Sequence, residues 1–168
     1  MEKPLYYINV LSLLLLGVWS CKHPVENKAL SGIKTLPKFR LVSLDSARIV
    51  NSENILAGKP SVFFYFDPEC DHCQKETKAI TEQRGQLKNV RFYLFSNSTI
   101  EEIENFCKYY GLDTLNNFFV GRDYEYSFYN VFLPSTIPFT AVYDSKNNLS
   151  KIYNGEADIS SLIKYVTN

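Results

Sequence analysis

The stretch SVFFYFDPECDHCQKE, residues 61–76, decides the fold. Residues 62–66 form an unbroken apolar run, which predicts a strand with both faces buried, as at the centre of a parallel sheet. Cys70 and Cys73 follow directly and open a segment with the pattern of a helix, which Gly85 is expected to end. From this stretch alone, the cysteine pair can be a metal site, a structural disulfide or a redox-active pair.

The residues that follow complete a βαβ unit. Residues 90–95 repeat the continuous apolar pattern, so strand, helix and strand predict parallel pairing through a right-handed crossover. The next segment predicts a second helix, capped by Ser98 or Thr99 and ended by Gly111. Cys107 lies on the apolar face of that helix, which favours a buried small residue over a reactive thiol.

The remaining segments predict an antiparallel addition to the same sheet. The expected elements are a strand pair or edge strand within 39–50, a strand at 117–120, a helix at 124–132, a hairpin of 139–143 with 149–153, and a helix at 159–166. The order is therefore βαβ first and ββα last. We expect an α/β fold of three layers, in which helices flank one central mixed sheet.

Length and charge limit the alternatives. The 168 residues suffice for one ordinary domain. The 18 basic and 18 acidic residues cancel, which argues against a nucleic-acid groove or a polybasic membrane surface.

The N-terminus has the pattern of a targeting segment. An apolar run of about a dozen residues is too short to span a bilayer comfortably but suits a signal peptide. It ends in VWSC at residues 18–21, which resembles the lipobox of bacterial lipoproteins and implies lipidation of Cys21. The alternative is an ordinary signal peptide with Cys21 as an incidental thiol. We therefore expect a lipoprotein signal peptide at 1–20, a flexible tether at 21–37 and a domain at 38–168.

Four segments together carry a resemblance to a known family. They are GKPSVFFYF at 58–66, CDHC at 70–73, Glu76, and Thr136-Ile137-Pro138 followed by FTAVYD. A CxxC after a buried strand, with a distant Ile-Pro before another strand, resembles the TlpA-type, thioredoxin-like thiol-disulfide oxidoreductases. The resemblance implies that Pro138 is cis and packed against the cysteines. It also implies that the backbone of Ile137 pairs with an extended substrate chain.

The spacing of the cysteines suits disulfide exchange. Cys70 stands at a helix N-terminus, where backbone N–H groups and the helix dipole favour a thiolate, so it is the candidate nucleophile. Cys73, one turn later, is placed to resolve the mixed disulfide. A buried acid that thioredoxin carries six residues before the first cysteine is replaced here by Phe64. Proton transfer to or from Cys73 must then use Glu76, a water or another group.

Asp71 and His72 lie between the cysteines and act in opposite directions. A protonated His72 favours the Cys70 thiolate, which makes the disulfide more oxidising. The carboxylate of Asp71 disfavours the thiolate and makes the pair more reducing. We expect both residues to tune the reduction potential and the potential to be intermediate.

The function predicted from these features is that of a membrane-tethered, extracytoplasmic thiol-disulfide oxidoreductase, more a reductase or isomerase than an oxidase. It is expected to work as a monomer without a cofactor other than the Cys70–Cys73 disulfide. Its partners would be protein disulfide or thiol clients and a membrane electron donor, with no nucleic acid. The expected location is the bacterial cell envelope, facing the periplasm and held to a membrane by lipid.

Several alternatives stay open from the sequence. The pair can be a zinc site or a purely structural disulfide. The protein can be a disulfide oxidase of DsbA-like potential, or a lipoprotein with the same fold and a binding role. A peroxiredoxin would need a threonine where Asp67 stands. A Sco-type copper protein would need a different cysteine spacing and a histidine beyond His72.

Overall fold

The computed structural model describes residues 32–167. The signal segment at 1–20, the lipidation site Cys21 and most of the expected tether lie outside these residues. Within 32–167, no helix is long and apolar enough to cross a membrane.

The described chain forms one mixed sheet and four α-helices. The strands are β1 (Arg40–Ser43), β2 (Ile49–Asn51), β3 (Ser61–Tyr65), β4 (Arg91–Ser96), β5 (Phe118–Arg122), β6 (Phe139–Tyr143) and β7 (Leu149–Asn154). The helices are α1 (Asp71–Glu82), α2 (Ile100–Tyr110), α3 (Ser127–Phe132) and α4 (Ile159–Thr167). The predicted elements are all present, with ends that differ by a few residues.

Strand β3 lies near the middle of the sheet, whose order is β2-β1-β5-β4-β3-β6-β7. It pairs in parallel with β4, which pairs in parallel with β5. It pairs antiparallel with β6, which forms the hairpin with β7. The observed arrangement is the βαβ-then-ββα order predicted from the sequence, and α1 is the crossover that carries the cysteines.

The continuous apolar run of β3 is explained by cover on both faces of the sheet. On one face, Val62 and Phe64 pack in a core with α1, α2 and α4. On the other face, Phe63 and Tyr65 pack in a second core with α3. All five residues of β3 are buried. Three layers of this kind are the architecture that the sequence predicts.

The second core is built mainly from aromatic rings. Phe63 contacts Phe39, Tyr93 and Tyr143 with ring centroids 5.1–5.3 Å apart. Tyr65 stacks on Phe128 of α3 at 5.4 Å. Edge-to-face and offset stacked rings add directional packing to the hydrophobic term. The end of β3 and the loop toward Cys70 therefore extend from a tightly packed part of the molecule.

The folded domain begins before residue 38, so the last residues of the expected tether are corrected. Thr35 forms a β-bridge with Asn148, and the carbonyl of Lys34 accepts a hydrogen bond of 2.9 Å from the backbone N–H of Leu149. Ile33 and Leu36 pack against the aromatic core. A polar segment without clear periodicity gave no sign of this docking, because its backbone partners, Asn148 and Leu149, are more than 100 positions away.

Two helix ends also differ from the prediction. Helix α1 ends at Glu82 with Gln83 as its C-cap, and Gly85 has no positive φ, so Gly85 is not the residue that stops the helix. Helix α3 begins at Ser127 and not near 124, because the buried carboxylate of Asp123 accepts hydrogen bonds from the backbone N–H groups of Ser127 and Phe128. By contrast, Thr99 and Gly111 cap α2 as predicted.

Candidate active site

Cys70 is the N-cap residue of α1 and lies just beyond the carboxyl end of β3. Its sulfur accepts a hydrogen bond from the backbone N–H of Cys73 at 3.4 Å. Cys70 is partly exposed. A partly exposed sulfur that accepts a hydrogen bond from a helix N–H is placed to act as a nucleophile.

Cys73 is enclosed by the protein. It is fully buried in the core beneath α1, among side chains that include Phe64 and Ile80. Burial is the largest cause that raises the pKa of its thiol far above the usual value, and the side chain of Cys70 raises it further. At neutral pH, Cys73 therefore holds its proton until a base removes it.

Glu76 lies one helical turn beyond Cys73 and is also buried, with 2% of its surface exposed. Its Oε1 accepts a hydrogen bond of 2.8 Å from the Thr140 hydroxyl, and its Oε2 accepts one of 2.8 Å from the Ala157 N–H. Burial raises the pKa of Glu76 to about 7, although these two hydrogen bonds act in the opposite direction. A carboxyl group with this pKa can both accept and release a proton near neutral pH.

The loop before β6 covers the cysteine pair. The Ile137–Pro138 peptide bond is cis, as the sequence resemblance implies. The carbonyl oxygen of Ile137 lies 3.9 Å from the sulfur of Cys70 and accepts a weak hydrogen bond from it. Cys70 and Ile137, which are 67 positions apart in the chain, are therefore in contact.

Comparisons with known proteins agree with this geometry. The model of the AhpC/TSA family matches residues 34–162. The chain belongs to the AhpC/TSA family.

Three solved structures share the fold of this AhpC/TSA family chain. The dsbF protein of MTB is 24% identical with a TM-score of 0.67, covering 79% of this chain and 98% of its own. A secreted Mycobacterium tuberculosis disulfide oxidoreductase is 20% identical with a TM-score of 0.64, covering 76% and 93%. A provisionally assigned thioredoxin from Neisseria meningitidis is 26% identical with a TM-score of 0.65, covering 79% and 87%.

The family match and the cysteine pair together assign the chain to the thiol-disulfide oxidoreductases. Its thioredoxin-like fold, with a mixed sheet between helices, is the one predicted from the sequence. The comparison with curated proteins returned no match.

Neither of the two residues between the cysteines forms a hydrogen bond to a cysteine sulfur atom in the described part of the chain. Asp71 is exposed in the first turn of α1. His72 places Nδ1 3.1 Å from Oε2 of Glu156, and its side chain is 72% exposed. The other carboxylate oxygen of Glu156 lies 2.7 Å from Nζ of Lys75. The contacts of His72 are thus with the loop before α4.

Sequence reasoning missed four residues that complete this site: Lys75, Thr140, Glu156 and Ala157. Thr140 lies two positions after Pro138, near the start of β6. That spacing is the one signal that could have suggested Thr140. The approach of Glu156 and Ala157 to α1 depends on how β7 ends, which no local pattern encodes.

The remaining predicted positions lie in the core. Phe64 is fully buried and stacks on Phe66 with ring centroids 5.7 Å apart. Cys107 is buried in α2, as its place on the apolar face predicts, and burial raises the pKa of its thiol to about 12. Among residues 32–167, no three His, Cys, Asp or Glu side chains are grouped as metal ligands would be.

Proposed function

We propose that this thiol-disulfide oxidoreductase reduces or isomerises disulfides of protein clients outside the cytoplasm, while anchored to a membrane of the bacterial cell envelope. The observation that carries the proposal is the contact of the partly exposed Cys70 sulfur with both the Cys73 N–H and the Ile137 carbonyl. This arrangement leaves the nucleophile beside a loop backbone that can align an extended chain.

The reaction begins with attack of the Cys70 thiolate on one sulfur of a client disulfide. A bond forms between Cys70 and that client sulfur, and the other client sulfur leaves as a thiolate that takes up a proton. The helix N-terminus stabilises the attacking anion before the step. The product is a mixed disulfide held under the Ile137-Pro138 loop.

The second step releases the client. Glu76 accepts the proton of the buried Cys73 thiol, and the Cys73 thiolate then attacks the Cys70 sulfur. The Cys70–client bond breaks, the client leaves with its sulfur reduced, and a Cys70–Cys73 disulfide remains. Two electrons have passed to the client, so a donor must later reduce the pair. In isomerisation, the client's own thiolate displaces Cys70 instead, and no net electrons are transferred.

Insulin reduction by the full chain in detergent micelles, with dithiothreitol as donor, tests the proposal. We expect turnover that Cys70→Ser abolishes and that Cys107→Ser leaves unchanged, because Cys107 is buried in α2 away from the pair. Wild-type turnover equal to that of Cys70→Ser would instead favour a binding protein with idle cysteines.

The direction of electron flow follows from the reduction potential of the pair. A potential well below about −230 mV supports a reductase or isomerase, and one near the DsbA value of about −120 mV supports an oxidase. Titration of the Cys70–Cys73 pair against glutathione buffers measures this quantity. We expect the lower range because Asp71 lies beside Cys70, whereas His72 is engaged by Glu156.

The anchor and the clients belong to the same proposal. The apolar segment that ends at Cys21 supports export and lipidation, and a secreted disulfide oxidoreductase is among the similar structures. Mass spectrometry of the N-terminal peptide should find Cys21 carrying acyl chains, and an unmodified Cys21 would remove the anchor. Cys73→Ala should trap protein clients and the membrane electron donor as mixed disulfides with Cys70, while Cys70→Ala should trap none.

A further inference from the structure

The loop between β7 and α4 is attached to the first two turns of α1 by one carboxylate. Oε1 of Glu156 lies 2.7 Å from Nζ of Lys75, and Oε2 lies 3.1 Å from Nδ1 of His72. The side chain of Glu156 is only 26% exposed, whereas both partners reach over it from the surface. A single acid thus connects the CDHC segment to a loop more than 80 residues further along the chain.

The residue after Glu156 touches the proton carrier. The backbone N–H of Ala157 donates a buried hydrogen bond of 2.8 Å to Oε2 of Glu76. The position of that N–H is set by the same loop that Glu156 attaches to α1. One peptide unit therefore separates the surface ion pairs from the buried carboxyl group.

We propose that Glu156 is a positioning residue for Glu76: its pairing with Lys75 and His72 fixes the loop that aims the Ala157 N–H at the Glu76 carboxylate. The histidine of the CDHC motif then acts on the proton carrier through this loop, and not directly on Cys70. The inference rests on the proposed function, because Glu76 matters only if Cys73 must lose a proton.

The contacts of Cys70 favour this route. Its sulfur contacts the Cys73 N–H and the Ile137 carbonyl, while the His72 ring nitrogen is directed at Glu156. Exposed ion pairs are individually weak. Here, Lys75 and His72 contact the same carboxylate, so loss of His72 weakens the attachment of the loop without removing it.

The groups that face Glu76 come from every element packed around it. These are Cys73 on α1, Thr140 on β6, Tyr153 on β7, and Glu156 with Ala157 in the loop. The charge of Glu156 raises the pKa of Glu76, but the Ala157 N–H lowers it by more. Loss of the positioning role and loss of the charge therefore shift the Glu76 titration in opposite directions.

This opposition defines the test. Glu156→Ala removes both the charge and the attachment, so the titration midpoint of Glu76 should rise by about half a pH unit. Glu156→Gln removes the charge but keeps an amide oxygen for Lys75, so the midpoint should stay or fall. Glu82→Ala is the matched control, since Glu82 pairs with Lys78 on the same helix away from the site, at 4.0 Å.

Two measurements are made on the full chain in detergent micelles. Carbon-13 NMR of glutamate-labelled protein follows the Glu76 carboxyl directly, with Glu76→Gln identifying its signal. Stopped-flow mixing with 5,5′-dithiobis(2-nitrobenzoic acid) follows two releases of thionitrobenzoate, the first from attack by Cys70 and the second from resolution by Cys73. At pH 6, Glu156→Ala should slow the second release about threefold and leave the first unchanged.

His72→Ala should slow the second release in the same direction as Glu156→Ala, and by less. A change confined to the first release would overturn the route through Glu156. Equal shifts of the Glu76 carbon signal in Glu156→Ala and Glu156→Gln, or no shift in either, would overturn the positioning role. The carbon signal reports this even if no disulfide substrate is reduced, so failure of the proposed function is recognised separately.

Discussion

At the scale of single residues, the site depends on one buried carboxyl group. Thioredoxin-like chemistry needs a group that moves the proton of the second cysteine, and Phe64 leaves the usual position apolar. Glu76 is buried, lies one turn from Cys73 and has a pKa raised to about 7. These properties make it the best candidate for that group among the described residues.

The rate of resolution tests the role of Glu76. Glu76→Gln keeps the shape of the side chain but cannot accept the proton of Cys73. We expect the second release of thionitrobenzoate at pH 8 to slow by about 10²-fold, the lower end of general acid–base effects. Glu82→Gln, an exposed position on the same helix, should match wild type. A normal rate in Glu76→Gln would mean that water carries the proton.

The pH dependence of stability follows from the same residue. Since folding raises the pKa of Glu76 from 4.5 to about 7, the folded state binds this proton more tightly than the unfolded state. The stabilisation that this proton gives the folded state is fully present below about pH 4.5, declines as the pH rises, and is lost above about pH 7. The total is about 3 kcal/mol.

We therefore expect the free energy of unfolding of wild type to fall between pH 5 and pH 8 more steeply than that of Glu76→Gln. Urea denaturation at both pH values, with the Cys70–Cys73 pair kept reduced, measures the difference. Parallel pH dependence in the two proteins would contradict the raised pKa.

At the scale of elements, the pairing of β1 with β5 depends on a close approach of two backbones. Gly121 on β5 faces Ser43 in the antiparallel pairing with β1. A Cβ atom added at Gly121 would clash with the carbonyl oxygen of Val42 and lie 2.9 Å from the side chain of Leu41. Because the first contact is to backbone, β1 itself would have to move.

Substitution of this glycine should thus be costly. We expect Gly121→Ala to lower the free energy of unfolding by about 3 kcal/mol, at the upper end of overpacking effects. Gly85→Ala is the matched control, since nothing lies within 4 Å of a Cβ atom there, and it should remain within about 0.5 kcal/mol of wild type. Equal stabilities of the two variants would show that β1 yields without loss of packing.

At the scale of the whole molecule, residues 33–36 belong to the folded domain and not to a tether before it. Ile33 and Leu36 pack against the aromatic core, and Lys34 and Thr35 pair with the β6–β7 hairpin. This segment therefore closes the same hairpin that ends in the loop bearing Glu156.

Truncation tests this docking. A chain that starts at Lys38 should be about 2 kcal/mol less stable than one that starts at Gly32, because two half-buried apolar side chains are lost. Chemical denaturation of both proteins under identical conditions gives the difference. Equal midpoints with equal slopes would return the domain boundary to residue 38.

Much of the architecture could be predicted because it is encoded locally. The apolar runs of β3 and β4, the cysteines at the start of α1, and the capping residues Thr99 and Gly111 each act within a few positions of the chain. The link between the cysteines and Ile137-Pro138 is not local. It was predicted through the resemblance to a family, and the contact at 3.9 Å agrees with it.

The sequence by itself determined the order of the elements, the fold class and the identity of the cysteine pair, because periodicity and helix capping are properties of neighbouring residues. Only the tertiary structure decided what surrounds Glu76 and where His72 is directed. Burial, which raises the pKa of Glu76, and the approach of Glu156 to Lys75 and His72 come from the packing of β6, β7 and α4 against α1. Electrostatic effects depend on distance and on exclusion of water, and both are set only when segments far apart in the chain come together.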